Sequence, residues 1–292
     1  MFSTTSLSSK NHDSTVIPNH SKSLYVTVRK ENLIYRLGNQ MFIYAAMLGI
    51  AKAQMRLPFV EDGKHLGQTF KLNYVNSNIN TSRWELKHVG RYATFDPDLF
   101  HLPNINISLR GYFQSWKYFS HIQEEIRREF TFLPHITEQS VEFYKKLSES
   151  YKNRTFVGVH VRRGDLLDAK NQKRGSVVAN QSYFLKAFSV MRSILPKRPL
   201  FIVGSDDLEW CKLNLNFTDV TVLSPNSPMI HLAIFANTSH MVMTTGTYGW
   251  WAAWLANGVT IYYNKFPAPG LVFERGFNKD DYYPPTWIGL GD

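Results

Sequence analysis

The chain has 292 residues and a formal net charge of +10, from 33 Lys and Arg against 23 Asp and Glu. Hydrophobic residues at 43% and aromatic residues at 14% are typical of a folded globular protein and exclude a disordered one. The single cysteine, Cys211, excludes an intrachain disulfide and a cysteine-based metal cluster, and the positive charge favours an anionic partner without identifying it.

The amino-terminal segment, residues 1–22, is rich in Ser, Thr, Asn, His and Lys and has almost nothing to bury. It predicts a disordered polar tail. The longest apolar run, Met41–Ala51, is shorter than the roughly 18 residues that a membrane-spanning helix needs, and no signal-peptide pattern is present. The sequence as written therefore predicts a soluble protein.

The first folded segment has the order strand, glycine turn, helix, strand. Ser23–Val28 alternates like a strand, Gly38 and Asn39 precede a helix over Met41–Ala53, and Leu57–Val60 is a second strand. This order places free backbone amides at a helix amino terminus, which is an anion site, although a plain turn into a buried helix explains the residues equally well.

The middle of the chain carries an aromatic cluster, Gly111–Phe119, that surrounds Gln114 and includes Trp116. Aromatic faces with interspersed polar groups suit sugar rings, but such a cluster is more often hydrophobic core. Helices follow near residues 122–130 and 138–151. We place the boundary between two domains, 23–150 and 151–292, after the second of these helices.

The second domain opens on Phe156–Val161, an apolar, largely β-branched run that predicts a buried parallel strand. Arg162, Arg163 and Asp165 follow at once, and His160 shares the face of Arg162. Because successive side chains alternate, one arginine can grip an anion while the other, or Asp165, holds the loop. A surface Arg–Asp bridge is the plainer alternative. The buried strand favours an oxyanion site, and phosphate is the anion we expect there.

The next predicted helix begins at Ser182 as its cap, and the strand after it ends in Ser205, Asp206 and Asp207. Ser205 or Asp206 as the cap of the following helix is the plainer alternative. Of Asp206 and Asp207, we expect one to cap that helix and the other to meet a nucleotide. A carboxylate at this edge can also accept hydrogen bonds from ribose hydroxyls or from the paired N–H groups of guanine.

The remaining chain alternates strands and helices, which predicts a Rossmann-like layer sandwich. The strands are expected at Val220–Leu223, His240–Met243 and Ile261–Tyr263, the last of the chain, and the helices at Pro228–Ala236 and Trp250–Ala256. Between strand and helix lie Thr245, Gly246 and Thr247. Hydroxyls and glycine at a helix amino terminus indicate a second phosphate site.

Five segments together resemble the galactoside 2-α-L-fucosyltransferase family, the α-1,2-fucosyltransferases. They occur in the family's order from about residue 23 onward and are RLGNQ at 36–40, GYFQSW at 111–116, TFVGVHVRRGD at 155–165, GSDD with WC beyond it at 204–211, and TTGTYGWWAAWL at 244–255. The HVRRGD stretch is by itself fairly specific for GDP-fucose-dependent transferases.

The resemblance implies a GT-B architecture, in which two Rossmann-like domains face a cleft. It implies GDP-fucose as donor, the 2-hydroxyl of a terminal β-galactose as acceptor, inversion at the fucose carbon and no required metal or other cofactor. Arg162 and Arg163 would hold the pyrophosphate. The remaining donor contacts would come from Gly38, Asn39, His160, Ser205, Asp206, Asp207, Thr245, Gly246 and Thr247, and acceptor contacts from Gln114 and Trp116. Candidates for the base are Asp165, Glu61 and Asp62.

Two departures from the family accompany this resemblance. Tyr35 stands where the family's first motif usually carries glycine, and the usual amino-terminal membrane anchor is not visible. The family implies the Golgi lumen, membrane association and β-galactoside glycans on protein or lipid. Glycosylation sequons compatible with a luminal protein begin at Asn19, Asn80, Asn106, Asn153, Asn180, Asn216 and Asn237.

Two other classes of function remain alternatives to a transferase. A lectin-like glycan-binding protein would keep the aromatic cluster but would not need paired arginines at a pyrophosphate position. A nucleic-acid-binding protein would carry its basic residues on one stripe, whereas here they are scattered, so we expect no nucleic-acid partner.

Overall fold

The computed structural model describes residues 23–28, 33–60 and 64–292. The predicted tail at 1–22 and the two acids Glu61 and Asp62 lie outside these residues. The strands are β1 Tyr25–Val28, β2 Leu57–Phe59, β3 Glu85–His88, β4 Ile107–Arg110, β5 Thr155–Val161, β6 Pro199–Ser205, β7 Val220–Val222, β8 His240–Met243, β9 Thr260–Tyr263 and β10 Ile288–Leu290. The helices are α1 Leu37–Ala53, α2 Lys64–Gly67, α3 Gln123–Glu129, α4 Pro134–Ser150, α5 Ala169–Gln172, α6 Gln181–Ile194, α7 Leu208–Asn214, α8 Pro228–Ala236, α9 Thr247–Ala256 and α10 Lys279–Tyr282.

The strands form two parallel sheets, one in each half of the chain. The first has the order β2-β1-β4-β3 and the second the order β10-β9-β8-β5-β6-β7. The side on which successive strands are added reverses between β1 and β4 in the first sheet and between β5 and β8 in the second. Ligands of open parallel sheets bind beyond the carboxyl ends of the strands at such switch points. The topology therefore directs attention to the loops after β1, β4, β5 and β8.

Several element boundaries differ from the sequence prediction. Helix α1 begins at Leu37, so Gly38 and Asn39 lie in its first turn rather than before it. Helix α6 is capped by Asn180, whose side chain accepts from the Ser182 amide, so Ser182 is not the cap. The strand predicted at Ile261–Tyr263 is present as β9, but it is not the last strand, because β10 follows it and pairs with it.

The two halves share one hydrophobic core, because α1 packs against α9. Phe42 of α1 lies 4.5 Å from Trp250 and 5.1 Å from Trp251, measured between ring centroids. Helix α1 is buried on nearly every side, which places it inside the molecule rather than on its surface. A division of the chain at residue 150 stays a prediction, since this packing joins residues from both sides of it.

Arg127 of the first half holds the carboxyl end of α9. Its guanidinium donates to the carbonyl oxygens of Trp254 at 2.9 Å and Leu255 at 3.2 Å and stacks 4.2 Å over the Trp254 ring. A cation at a helix carboxyl terminus satisfies free carbonyls and complements the helix dipole. No described helix is long and apolar enough to cross a membrane.

We predict that Gly49→Ala destabilises the protein. An added Cβ at Gly49 would overlap the backbone carbonyl of Tyr118, so α1 would have to move away from the aromatic segment. Overpacking of this kind costs about 1–3 kcal/mol, whereas helix propensity alone predicts a gain of about 1 kcal/mol. The measurement is the urea midpoint, and it separates the two effects by sign.

The matched control for this change is Gly90→Ala. An added Cβ there meets no atom within 4 Å, so unfolding free energy is expected to change by less than about 0.5 kcal/mol. A Gly49→Ala variant as stable as the parent would contradict the close packing of α1.

Candidate active site

Two pockets meet at Arg162, at the switch points of the two sheets. The first pocket, of about 580 Å³, lies mostly in the second half and is lined by residues that include His160, Asp206 and Tyr248. The second pocket, of about 570 Å³, is lined by residues that include Asn39, Gln114 and Asp165. Arg162, Gly246 and Thr247 line both pockets. A ligand that fills both would pass directly over these three residues.

Arg162 is fixed at the end of β5 by its own backbone and by an acid three residues later. Its amide donates to the Thr244 hydroxyl at 2.9 Å, which ties the end of β5 to the end of β8. Its guanidinium binds Asp165 in bidentate fashion, with Nη2–Oδ2 at 3.0 Å and Nε–Oδ1 at 3.3 Å. The Arg–Asp bridge that was the plainer alternative is therefore present, but it lies in the pockets rather than on an open surface.

The Asp165 carboxylate is held in its charged form. Burial raises its pKa, but the hydrogen bond and the charge of Arg162 outweigh burial, and Arg36 adds a further positive charge at 3.7 Å. The pKa of Asp165 therefore lies below its usual value. In this arrangement the carboxylate is a weak base, because its lone pairs already serve the guanidinium.

The amino ends of α1 and α9 face one another beside Arg162. A Cβ added at Gly38 would lie 2.7 Å from the backbone of Thr247, so only glycine permits this approach. The Thr247 hydroxyl donates to Asn39 Oδ1 at 2.9 Å, and the Gln114 amide donates to the same oxygen at 3.1 Å. Two helix amino ends concentrate positive potential in one place, as an anion requires.

Gly246 shapes the turn between β8 and α9. Its φ of 101° is one that residues with a Cβ rarely adopt, and an added Cβ would collide with the Arg162 guanidinium. Thr245 is buried beside it and lines the second pocket. The Thr245-Gly246-Thr247 turn and Arg162 are thus brought together, as the sequence predicted from two separate segments.

Ser205, Asp206 and Asp207, at the end of β6, make different contacts. Asp207 caps α7 by accepting from the Trp210 amide at 3.1 Å, and its other oxygen accepts from Arg163 at 3.1 Å. The Ser205 hydroxyl accepts from the Asp207 amide at 2.8 Å. Asp207, rather than Ser205 or Asp206, is therefore the cap.

Asp206 faces the first pocket. Its Oδ1 accepts from the Arg163 amide at 2.8 Å. Its Oδ2 accepts no hydrogen bond from the described residues, and the residue lines the first pocket. Register pairs Val161 with Ser205, so this acid lies directly beside the Arg162 loop. One carboxylate oxygen is thus left to meet a ligand.

Arg163 points away from both pockets. Its guanidinium stacks 4.0 Å over the Trp210 ring and donates to Asp207 and to the Ala179 carbonyl at 3.3 Å. The expectation that Arg162 and Arg163 face opposite ways agrees with these contacts. Arg163 holds the loop, and Arg162 alone of the pair lines the pockets.

His160 is a neutral ring in the wall of the first pocket. It is 9% exposed, and its Nδ1 has no hydrogen-bond partner among the described residues. Burial, with smaller contributions from the charges of Arg162 and His231, lowers the pKa of His160 to about 3. Its ring centroid lies 5.2 Å from that of Tyr248. The two rings form an apolar wall suited to a flat base.

The second pocket has a wall that the sequence did not predict. The carboxyl-terminal segment 266–282 supplies Phe266, Phe273 and Tyr282, and the Tyr92 hydroxyl fastens it by donating to the Phe273 carbonyl at 2.8 Å. These partners are far apart in sequence, and no local pattern links them.

Trp116 lies apart from both pockets. Its indole N–H donates to the Asp280 carbonyl at 3.2 Å, and the ring lines a separate groove with Trp254 and Trp287. Gln114, from the same aromatic cluster, does line the second pocket, while Tyr118 and Phe119 are buried core. The cluster is therefore divided between the pocket and the core, and contact with a sugar stays a prediction.

No cluster of three or more potential metal ligands occurs among His, Cys, Asp and Glu of the described residues. The positive groups around the junction of the two pockets are instead Arg162, Arg36 and the two helix amino ends. These groups can stabilise a developing negative charge directly.

Comparison with known structures supports the architecture. The NodZ α-1,6-fucosyltransferase soaked with GDP-fucose superposes with a TM-score of 0.57 at 14% identity, covering 85% of this chain and 97% of that one. A point mutant of Arabidopsis thaliana FUT1 in complex with GDP gives a TM-score of 0.54 at 13% identity, covering 84% and 72%. The two-sheet, GT-B-like α/β fold is therefore confirmed.

Sequence comparison identifies the family. The chain is 33% identical to the Bos taurus galactoside 2-alpha-L-fucosyltransferase SEC1 over 266 residues, 87% of this chain and 72% of that protein. It is also 33% identical to the Sus scrofa galactoside alpha-(1,2)-fucosyltransferase 2 over 270 residues, 89% and 78%. The model of glycosyl transferase family 11 matches residues 6–291. The chain therefore belongs to glycosyl transferase family 11, as its motifs predicted.

Proposed function

We propose that the protein transfers L-fucose from GDP-fucose to the 2-hydroxyl of a terminal β-galactose, with inversion to an α-1,2 linkage. The observation that carries this proposal is the position of Arg162, between the facing amino ends of α1 and α9 where the two pockets meet. A glycan-binding protein without catalysis has no need of such a junction. The relatives described above, which are named as α-1,2-fucosyltransferases, support the same reaction.

The guanosine of the donor is proposed to occupy the first pocket. His160 and Tyr248 offer ring faces to the base, and the unused oxygen of Asp206 is available to the N1–H and 2-amino groups of guanine. Adenine and uracil do not offer this pair of donors. A neutral His160 also keeps this wall uncharged.

The diphosphate is proposed to lie at the junction of the pockets. Arg162 would take two of its oxygens, and the amides of the Thr245-Gly246-Thr247 turn and of Gly38 would take others. Asn39 would contribute through its side chain, because its amide already donates to the Arg36 carbonyl at 3.0 Å. As the bond between fucose C1 and the phosphate oxygen breaks, its electron pair goes to that oxygen. A fixed guanidinium and two helix dipoles stabilise this charge, so the proposal needs no metal ion.

The fucose and the acceptor galactose are proposed to fill the second pocket. Galactose O2 attacks fucose C1 from the face opposite the leaving diphosphate, and this geometry gives inversion. Asn39 and Gln114 lie where sugar hydroxyls would enter. Trp116, in its separate groove, would touch only a more distant part of the acceptor.

Asp165 is proposed as the base that accepts the proton of galactose O2. Before the donor binds, the carboxylate is engaged by Arg162. When the diphosphate takes over the guanidinium, Asp165 loses Arg162 and gains a negative neighbour, while Arg36 remains at 3.7 Å. Both changes raise its pKa and make it a better base. Donor binding would thus prepare the base for the acceptor.

The setting of the reaction is part of the same proposal. From the family resemblance we propose the Golgi lumen, association with its membrane, acceptor glycans on protein or lipid, and no nucleic-acid partner. The division into an acceptor-side domain at 23–150 and a donor-binding domain at 151–292 is also proposed. The lining of the first pocket, drawn mostly from the second half, supports that division of roles.

The experiment that tests the function is transfer of labelled fucose from GDP-fucose to a β-galactoside in the presence of EDTA, with the linkage read from the product. We predict an α-1,2-linked product and, for Arg162→Lys, a kcat/KM at least about 100-fold lower. Lysine keeps the charge but loses the planar pair of donors that binds two oxygens.

The matched control is Arg192→Lys. Arg192 is also bidentate, to Asp219 at 2.8 and 2.9 Å, but it lies outside both pockets. Its replacement by lysine is expected to leave kcat/KM within about twofold of the value for the parent enzyme. An Arg162→Lys enzyme with half the parental rate, or activity that requires added manganese, would contradict the proposed charge stabilisation.

A second prediction separates the two aspartates after β6. Asp206→Asn should raise the Kd for GDP at least about tenfold and weaken the preference for GDP over ADP, because the amide no longer offers a charged acceptor to the two donors of guanine. Asp207→Asn should leave the Kd for GDP nearly unchanged but lower stability by about 1 kcal/mol, because it weakens the α7 cap. Calorimetric titration and urea unfolding measure the two effects. If both variants bind GDP as tightly as the parent, Asp206 does not recognise guanine.

A further inference from the structure

The rim of the second pocket carries three positive charges that no described acid neutralises. Arg91, Arg174 and Arg275 line it, and none of them lies within 4.0 Å of a carboxylate among the described residues. The single acid in the lining, Asp165, is already paired with Arg162. The pocket that is proposed to receive the acceptor is therefore strongly cationic.

These arginines reach the rim from three separate segments of the chain. Arg91 follows the end of β3, Arg174 follows α5, and Arg275 lies in the carboxyl-terminal segment 266–282. Arg174 stacks 4.6 Å over the Phe273 ring, which fixes the direction of its guanidinium. All three side chains remain exposed, so their donors are open to a ligand.

The donor does not account for this charge. Its diphosphate belongs at the junction of the two pockets, where Arg162 and the helix amino ends lie. None of the three rim arginines lines the first pocket. A neutral sugar does not require it either, because uncharged amides and hydroxyls can serve sugar hydroxyls, whereas the charge and planar fork of a guanidinium match a carboxylate, sulfate or phosphate.

We infer that the acceptor of this enzyme is an anionic glycan, a galactoside that carries a carboxylate, sulfate or phosphate group next to its terminal galactose. This inference rests on the proposed function. The galactose enters the second pocket, and the anionic group beside it pairs with guanidinium groups at the rim. The reaction itself is unchanged, since fucose passes to galactose O2 and its proton to Asp165.

The test compares two acceptors that differ only in charge. Lactobionate and lactitol both present β-galactose on an open six-carbon chain, which ends in a carboxylate in the first and in an alcohol in the second. At low ionic strength we expect kcat/KM for lactobionate to exceed that for lactitol roughly tenfold. In about 0.5 M salt, where exposed charges are screened, the ratio should fall towards one. Lactose 6-sulfate and lactose 6-phosphate, compared with lactose, distinguish the other sources of charge.

Arg174→Gln assigns the effect to the rim. It should raise KM for lactobionate about fivefold or more while leaving KM for lactitol and for GDP-fucose within about twofold. The matched control is Arg198→Gln, the same change of charge at an exposed arginine that lies at the amino end of β6, away from both pockets. It should leave the lactobionate-to-lactitol ratio unchanged.

The outcomes separate this inference from the proposed function. Equal rates for lactobionate and lactitol in low salt overturn the inference and leave the transferase standing. An Arg174→Gln variant that raises KM for GDP-fucose as much as for lactobionate also overturns it, because the rim would then serve the donor. Failure of every galactoside to accept fucose overturns the proposed function itself.

Discussion

The close approach of the amino ends of α1 and α9 is the constraint on which the rest of the site depends. The packing of Phe42 against Trp250 and Trp251 brings the helices together, and glycine at position 38 lets their first turns touch. Aromatic pairs of this kind contribute about 0.5–1.5 kcal/mol each beyond their buried area. Helix ends that would otherwise repel one another are thus held in place by a core several residues away. The positive potential they create is available for a ligand.

We propose that Arg162, which lies between these helix ends, exchanges its partner Asp165 for the diphosphate when the donor binds. An arginine left alone between two positive helix ends would be repelled by them, and Asp165 offsets that repulsion before the donor binds. A diphosphate carries more charge than one carboxylate and offers more oxygens to the same guanidinium. The guanidinium would need little movement for this exchange, because it already lies against Gly246 at the junction of the two pockets.

The sequence predicted the elements that are buried and local. Strands β5, β6 and β8 stand out as apolar runs, and the polar residues at their ends predict the site because parallel strands bring those ends to one edge. The sequence did not predict strands β3 and β4. Strand β3 is largely exposed and reads Glu-Leu-Lys-His, so it has no apolar run, and β4 is only four residues long. The wall of the second pocket was missed because Tyr92 meets Phe273 across 181 positions. Trp116 shows the same limit, since membership of a cluster did not predict which groove its ring would enter.

The most direct test of the account is a crystal structure of the protein with GDP bound. In that complex we expect the Arg162 guanidinium to lie within about 3 Å of two diphosphate oxygens and to have left Asp165. We expect the guanine ring to lie between His160 and Asp206. A complex in which Arg162 stays bidentate on Asp165, with the diphosphate bound elsewhere, would contradict it.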